Sequence, residues 1–151
     1  LIVVLGANKK ALIEQLPSDE KLRVATNDAW RTGQSSSVRC GLSALQEPVD
    51  GAVFLLGDQP QITPVLIDAV ITTGMQEETI CLPYINDRRA NPVYFPSKYF
   101  RELQSITGDV GGRSLFTKYP VKLIDWYDDP MGWDMDTRQD YDQLGKEFGA
   151  I

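Results

Sequence analysis

Two uninterrupted apolar runs constrain the fold of this chain more than any other feature of its sequence. Residues 1–5 read Leu-Ile-Val-Val-Leu, and residues 52–56 read Ala-Val-Phe-Leu-Leu. Continuous apolar runs of this length are typical of strands that are buried on both faces of a parallel sheet. Further strands are predicted at residues 22–26, 79–83, 92–95 and 121–126. Helices are predicted at residues 9–16, 35–46, 97–106, 112–118 and 137–148, and the second of these has Val38, Leu42 and Leu45 on one stripe. A further helix is predicted to start at Pro64 with Thr63 as its cap.

The order of these elements predicts the fold class. Strands alternate with helices along most of the chain, which is the pattern of an α/β fold with helices on both faces of one sheet. The strands at 79–83 and 92–95 follow one another around a turn at Asn86-Asp87-Arg88, so the sheet is expected to be mixed, with mostly parallel strands. Because no linker interrupts the chain, we expect a single domain over residues 1–151.

Composition excludes several classes of function. The chain has 151 residues and a net charge of −6, which argues against a nucleic-acid or membrane-surface binder. It contains no histidine, so a Ser–His–Asp triad and a His-ligated zinc site are excluded. Its two cysteines, Cys40 and Cys81, have no CxxC spacing and are expected to be reduced packing residues. Without a signal peptide or a span of about 20 apolar residues, the expected location is the cytoplasm.

The segment Gly57-Asp58-Gln59-Pro60 follows the second apolar run directly. Ligands of open α/β sheets bind beyond the carboxyl ends of the strands. A carboxylate at this place suits Mg²⁺, which prefers one or two carboxylates together with phosphate oxygens. Gly57 allows a ligand to approach the backbone closely. An equally simple interpretation makes Asp58 a turn or capping residue before Pro60.

A second acidic position lies late in the chain, at Asp134-Met135-Asp136-Thr137. Alternation in an extended segment puts Asp134 and Asp136 on one side. Two carboxylates on one side repel each other unless a cation or water lies between them. The alternative is a solvated acidic edge in which Asp136 or Thr137 caps the helix that follows.

Glycine and serine residues mark a third segment. The segment runs from Asn27 to Gly41, and within it Gly33, Gln34, Ser35, Ser36 and Ser37 stand at a helix start. Free backbone N–H groups and hydroxyls at such a start predict a site for an anion or a nucleobase, and Trp30 and Arg39 flank it. The alternative is an ordinary N-cap formed by one of the serines.

Two further segments combine arginine with turn residues: Arg88-Arg89-Ala90-Asn91-Pro92 and Gly108-Asp109-Val110-Gly111-Gly112-Arg113. In an acidic protein, arginines near a turn can offset the charge of an anionic substrate. The alternative is that they are solvated surface residues.

Taken in order, these segments resemble the MobA-like NTP transferases, and most of all the molybdenum-cofactor cytidylyltransferase branch. The resemblance also covers the opening Val-Val-Leu-Gly-Ala-Asn at residues 3–8 and runs essentially from end to end. It implies a three-layer, Rossmann-like sheet of the nucleotide-diphospho-sugar transferase type. The implied reaction is Mg²⁺-dependent transfer of CMP from CTP to a molybdopterin-type phosphate acceptor, with release of pyrophosphate.

The resemblance also implies roles for particular residues. Asp58 corresponds to the metal-binding aspartate, and Asp136, with Asp134, to the second acidic position on that metal. The implied substrate-binding residues are Gly33, Gln34, Ser35, Ser36, Ser37, Arg39, Gly57, Gln59, Asn91 and Arg113. The implied partners are the two small-molecule substrates and a molybdoenzyme or its maturation chaperone.

Two departures from the family pattern are visible. The family opens with a strand and a glycine-rich loop that cradles the triphosphate, and this loop is absent from the 151 residues. We therefore expect the sequence to be part of a longer chain that lacks its first strand and that loop. The family commonly has Gly-His-Pro where this chain has Ala90-Asn91-Pro92, so the identity of the acceptor substrate stays open.

The sequence leaves three alternative functions to consider. One is a relative that uses GTP or activates another small phosphorylated acceptor. Another is a non-catalytic nucleotide-binding or chaperone-like protein of the same fold. A third is a receiver-like domain phosphorylated on Asp58, which the late position of Asp134 and Asp136 disfavours.

Overall fold

Strands and helices alternate through most of the structure. The computed structural model describes residues 1–127, 137–140, 142 and 145. The strands are β1 (Ile2–Leu5), β2 (Arg23–Thr26), β3 (Gly51–Phe54), β4 (Ile80–Ile85), β5 (Arg88–Arg89), β6 (Val93–Pro96) and β7 (Val121–Asp125). The α-helices are α1 (Lys9–Ile13), α2 (Gln34–Ser43), α3 (Pro64–Gln76) and α4 (Phe100–Ser105), and 3₁₀ helices cover Trp30–Thr32, Ser97–Tyr99 and Gly111–Thr117. No helix within these residues is both long enough and apolar enough to cross a bilayer.

The chain forms two compact units, of which the first contains Leu1–Val49 and Lys98–Lys118. Its two strands, β1 and β2, pair in parallel from Ile2 opposite Arg23 to Leu5 opposite Thr26. Helix α2 packs against β1 and α4. Val38 and Leu42 form its buried stripe, as the spacing predicts.

The second unit contains the described residues of Asp50–Ser97 and Tyr119–Ile151. Its sheet has the order β3-β6-β4, and both β5 and β7 pair with β4. Among the strand pairs of this unit that the structure describes, only that of β4 with β7 is parallel. Helix α3 covers this sheet, and its Leu66 and Val70 join Cys81, Ile85 and Tyr94 in the core.

Glycines make room for the largest side chain of this core. A Cβ atom at Gly51 would lie 2.4 Å from the Tyr94 hydroxyl oxygen, and one at Gly74 would lie 2.2 Å from Tyr94 Cδ1. Strand β3 and helix α3 therefore both approach the Tyr94 ring closely, which is possible because neither position carries a side chain.

The predicted mixed α/β fold is confirmed, but the two apolar runs are less enclosed than expected. Residues of β1 and β3 are mostly half-buried, and Leu55 lies outside the strand with 42% of its surface exposed. Among the described strands, β1 pairs only with β2 and β3 only with β6, so each lies at the end of its sheet. Parallel pairs are also fewer than expected, because β6 inserts antiparallel between β3 and β4.

Candidate functional site

The first unit holds a hydrogen-bonded cluster at the carboxyl end of β2. Asn27 follows this strand, and only 5% of its surface is exposed. Its Nδ2 atom donates to Ser36 Oγ at 2.7 Å and to Ser37 Oγ at 3.0 Å. Its Oδ1 atom accepts from the backbone N–H of Ala29 at 3.0 Å. One amide therefore joins the end of a strand to the first turn of α2.

The N-terminus of α2 is capped by a distant loop. The N–H of Gln34 donates to Asp109 Oδ1 at 3.0 Å, and the N–H of Ser35 donates to the carbonyl of Gly108 at 3.2 Å. The N–H of Ser36 donates to the carbonyl of Gly33 at 3.1 Å. Two predictions are therefore wrong: the residue that caps the helix is Gly33 and not a serine, and these three N–H groups are not free to bind an anion.

Glycines allow this loop to approach the helix. Gly33 has a φ of +106°, and a Cβ atom there would lie 2.5 Å from the carbonyl carbon of Gly108. Gly111 has a φ of +55°, and its Cβ would lie 2.4 Å from Gln34 Oε1. A side chain at Gly33 would push the loop away from α2, because the atoms that it meets are backbone atoms that cannot move aside cheaply. At Gly111 the Gln34 side chain could move aside, but the positive φ itself favours glycine.

Two arginines predicted at the site have different surroundings. The Arg39 guanidinium donates to the carbonyl of Ile106 in the same unit, so one of its N–H groups links α2 to the residue that follows α4. Arg113 lies in the 3₁₀ helix Gly111–Thr117 with its side chain exposed. The hydrogen bonds of Gln34 and Ser35 show that the segments Gly33–Ser37 and Gly108–Arg113 are neighbours in space, although they are far apart in sequence.

The second unit places Asp58 in the turn that follows β3. Asp58 is half-buried, and its Oδ1 atom is buried without a hydrogen-bond partner in the part of the chain that the structure describes. Its neighbour Gly57 is exposed, and a Cβ atom there would meet nothing within 4 Å. Gln59, next in the chain, is 8% exposed. Asp58 thus has one buried carboxylate oxygen without a donor, in a turn whose Gly57 is exposed.

This environment fits a divalent cation. A buried carboxylate oxygen without a donor is costly, and a cation is the partner that offsets the cost. Residues 1–127 and the described positions beyond them contain no group of three or more acidic, histidine or cysteine side chains that could hold a metal. A Mg²⁺ ion that completes its shell with water and phosphate needs only one or two carboxylates. Asp134 and Asp136 lie outside the described residues.

The hairpin of the second unit carries the remaining predicted residues. Asn86 and Asp87 have φ values of 49° and 59°, which is the left-handed conformation of a tight hairpin turn. Arg88 and Arg89 form β5 with exposed side chains. Asn91 is half-buried and precedes Pro92 through a cis peptide bond.

Sequence reasoning placed Asn27 and Asp109 in candidate segments but assigned no role to either residue. The available signal for Asn27 was an asparagine directly after a short strand, where its side chain can accept from the N–H two residues on. For Asp109 no local signal exists, because its partner Gln34 is 75 positions away in the chain.

Comparison with known proteins identifies the class to which this fold and these segments belong. Residues 1–123 match the MobA-like NTP transferase domain, so the chain is a member of that family. The resemblance that the motifs indicated is therefore confirmed.

Among individual proteins, the chain is similar to the purine catabolism protein PucB of Bacillus subtilis (strain 168). The two are 28% identical over 116 residues, which is 74% of this chain and 56% of PucB. The chain thus spans little more than half the length of that relative.

Solved structures agree with the fold. Rv0371c from Mycobacterium tuberculosis H37Rv is 27% identical, with a TM-score of 0.79 over 96% of this chain and 75% of that one. A second structure of Rv0371c, in complex with manganese, gives a TM-score of 0.77 over 95% of this chain and 76% of that one. A 4-diphosphocytidyl-2C-methyl-D-erythritol synthase from Anaerococcus prevotii DSM 20548 is 14% identical with a TM-score of 0.74, covering 97% and 77% of the two chains, and shares the fold.

Proposed function

We propose that this chain belongs to a Mg²⁺-dependent nucleotidyltransferase that transfers CMP from CTP to a molybdopterin-type phosphate acceptor and releases pyrophosphate. Membership of the NTP transferase family supports the reaction class. The observation that carries the proposal is Asp58, whose buried Oδ1 atom has no donor among the described residues. The manganese complex of Rv0371c supports the use of a divalent metal.

In this proposal the chain binds, orients and neutralises, and it supplies no nucleophile. Asp58 holds the metal together with Asp136 and Asp134. When bound, the metal neutralises negative charge on the phosphates during transfer. Gly57 leaves room for a phosphate to approach the backbone, and the Gly33–Ser37 segment, with Arg39, receives the base and ribose. A chain without histidine can perform this chemistry, because the proposed reaction includes no proton transfer that requires a side chain with a pKa near neutral pH.

The metal role is tested by an Asp58→Asn substitution in the full-length protein. Calorimetric titration with MnCl₂ and CTP together should show a loss of metal-dependent CTP binding of at least tenfold, about 1.4 kcal/mol or more. Without metal, the variant should unfold at a temperature no lower than wild type, because Asn replaces a carboxylate whose Oδ1 atom has no donor by a neutral amide.

Asp68→Asn is the matched control. Asp68 lies on α3 in the same unit with an exposed side chain, and its substitution changes the net charge equally. It should leave metal-dependent binding unchanged. Equal CTP binding by Asp58→Asn and by wild type, both with and without metal, overturns the role of Asp58.

Preference for CTP is tested separately from catalysis. Competition among the four NTPs should show the tightest binding for CTP, and a preference for GTP would favour the relative that uses GTP. The similarity to PucB favours a second candidate, a transferase with a different small acceptor, because that protein is named for purine catabolism. Metal-dependent CTP binding without pyrophosphate release on any phosphate acceptor would instead favour a non-catalytic binding protein.

We propose further that the triphosphate cradle belongs to a segment before Leu1, so that residues 1–151 are one nucleotidyltransferase domain without its first strand. Strand β1 supports this, because it is an apolar strand with one pairing partner among the described strands and can accept another. The reading frame upstream of Leu1 tests the proposal. About 40 residues (one strand–loop–helix unit) with a glycine-rich loop and a lysine are expected there.

We also propose a cytoplasmic location, with a molybdoenzyme or its maturation chaperone as partner. Cys40 and Cys81 are both free thiols, which suits a reducing compartment. Affinity purification of the tagged protein from its own cells should recover the molybdoenzyme, and fractionation should place both in the cytoplasm.

A further inference from the structure

The three consecutive serines of α2 differ in what a ligand can reach. Ser35 is fully buried, and Ser36 is 4% exposed. Ser37 is half-buried and is the most accessible of the three. If a nucleotide lies against this turn, Ser37 is therefore the hydroxyl that it meets.

The direction of every hydrogen bond around Ser37 follows from one backbone group. The N–H of Ala29 can only donate, so the Asn27 atom that faces it at 3.0 Å is the oxygen. The opposite end of the amide is then Nδ2, which can only donate. Ser36 Oγ and Ser37 Oγ therefore both accept from Asn27, at 2.7 Å and 3.0 Å.

The two serines use their own protons differently. Ser36 Oγ donates to the carbonyl of Gly33 at 2.9 Å, so its accepting and donating roles are both filled. Ser37 Oγ accepts from Asn27 and, within the residues for which positions are given, donates to nothing. Its proton is thus directed away from the amide and is available to an acceptor.

We propose that Asn27 is a positioning residue that fixes Ser37 as a hydrogen-bond donor to an acceptor oxygen of the bound nucleotide. The inference rests on the proposed function, because it needs a nucleotide at the first turn of α2. In this proposal the nucleotide does not need the backbone N–H groups of Gln34 and Ser35. These groups already donate to Asp109 Oδ1 and to the carbonyl of Gly108, respectively. Asn27 acts on the ligand only through Ser37.

The test reverses the direction of these bonds without changing the net charge. The double variant Asn27→Asp/Asp28→Asn puts an acceptor where Nδ2 stood and removes the neighbouring exposed carboxylate. The new carboxylate attracts the Ser37 proton, so Ser37 no longer donates to the ligand. In calorimetric titration of the full-length protein with CTP and Mg²⁺, the double variant should bind about tenfold more weakly, as expected for one lost hydrogen bond.

Further variants separate this role from a purely structural one. Ser37→Ala should show the same loss, and Ser37→Thr, which keeps the hydroxyl, should bind like wild type. Adding Ser37→Ala to the double variant should cause no further loss, because both changes remove one interaction. Asp28→Asn alone is the control, since it removes the exposed ion pair with Lys9 and nothing in the cluster.

Titrations with CTP and with cytidine locate the acceptor atom. A loss with both CTP and cytidine supports the proposal and puts the acceptor on the nucleoside, and a loss with CTP alone supports it and puts the acceptor on a phosphate. If wild type binds CTP but Ser37→Ala binds it equally well, the role of Ser37 is overturned. If the losses of the double variant and of Ser37→Ala add, the positioning role of Asn27 is overturned. The proposed function stands in both cases. If wild type binds no nucleotide, both are overturned. Thermal unfolding of every variant, above the titration temperature, confirms that each is folded.

Discussion

Ser35, Ser36 and Ser37 show how adjacent residues of one type acquire different roles from their surroundings. Ser36 accepts from Asn27 and donates to Gly33, whereas Ser37 accepts from Asn27 and donates to no acceptor among the described residues. The hydroxyl of Ser35 is fully buried and has no partner among the described residues. An unsatisfied buried hydroxyl costs about 1–3 kcal/mol, so Ser35 lowers the stability of the unliganded chain.

Ser35→Ala should therefore stabilise the protein. Alanine removes the unsatisfied hydroxyl and is also the better helix former, by up to about 0.5 kcal/mol. We expect the free energy of unfolding to rise by about 1 kcal/mol, measured by urea denaturation without nucleotide. Ser36→Ala is the matched control: it removes two hydrogen bonds and should lower stability by about 1–2 kcal/mol. A lower stability for Ser35→Ala would mean that its hydroxyl has a partner in solution.

The two longest helices among the described residues, α2 and α3, are capped in different ways. Helix α3 has a local cap: the Thr63 side chain accepts from the N–H of Leu66, and Pro64 occupies the first turn. Helix α2 has no side-chain cap of its own and relies on Asp109, which also places a negative charge at the positive end of the helix dipole. The first turn of α2, with Ser37, thus depends on a loop far away in sequence.

Asp109→Ala should loosen this turn. We expect a loss of about 1 kcal/mol of stability, as for other N-cap substitutions. Asp109→Asn keeps an oxygen that can accept from Gln34 and should lose less. Urea denaturation gives both values. Because the turn presents Ser37, CTP binding should weaken in Asp109→Ala more than in Asp109→Asn, and equal behaviour of the two variants would contradict the role of Asp109 as a cap.

Local signals explain what the sequence could predict. The Thr63-Pro64 helix start, the Asn86-Asp87 turn and the Val38–Leu42 stripe depend on neighbours in sequence, and each is confirmed. The pairing of β3 with β6 and the Asp109 cap depend on contacts between distant segments, which no local pattern encodes. Asp58 was predictable only in part: its position after a strand follows from the local sequence, but the burial of its Oδ1 atom without a donor does not.

Stability of the chain as a whole should fall at alkaline pH, because buried acidic groups must ionise on unfolding. Burial raises the pKa of the Cys81 thiol to about 11, against the weaker opposing effect of Lys122. Burial, followed by the charge of Asp50, raises the pKa of Tyr94 as well. Both side chains belong to the core of the second unit. In the folded chain both stay neutral at a pH where they ionise in the unfolded chain.

The sign of the effect follows from proton linkage. Above pH 9.0, the ordinary pKa of a thiol, the unfolded chain releases the Cys81 proton while the folded chain keeps it to about pH 11. Unfolding then releases a proton, so stability falls as pH rises through this range. The contribution of Cys81, present in full below pH 9.0, is on the order of 2–3 kcal/mol.

Cys81→Ala should flatten this dependence. The variant is expected to be less stable than wild type at pH 8, because it leaves a small cavity in a fully buried place, but the difference should shrink by pH 10.5. Urea denaturation at several pH values between these limits measures both slopes. Cys40→Ala is the control: its thiol is half-buried in the first unit, so its removal should change the slope less. Parallel slopes for wild type and Cys81→Ala would show that the Cys81 thiol does not control alkaline unfolding.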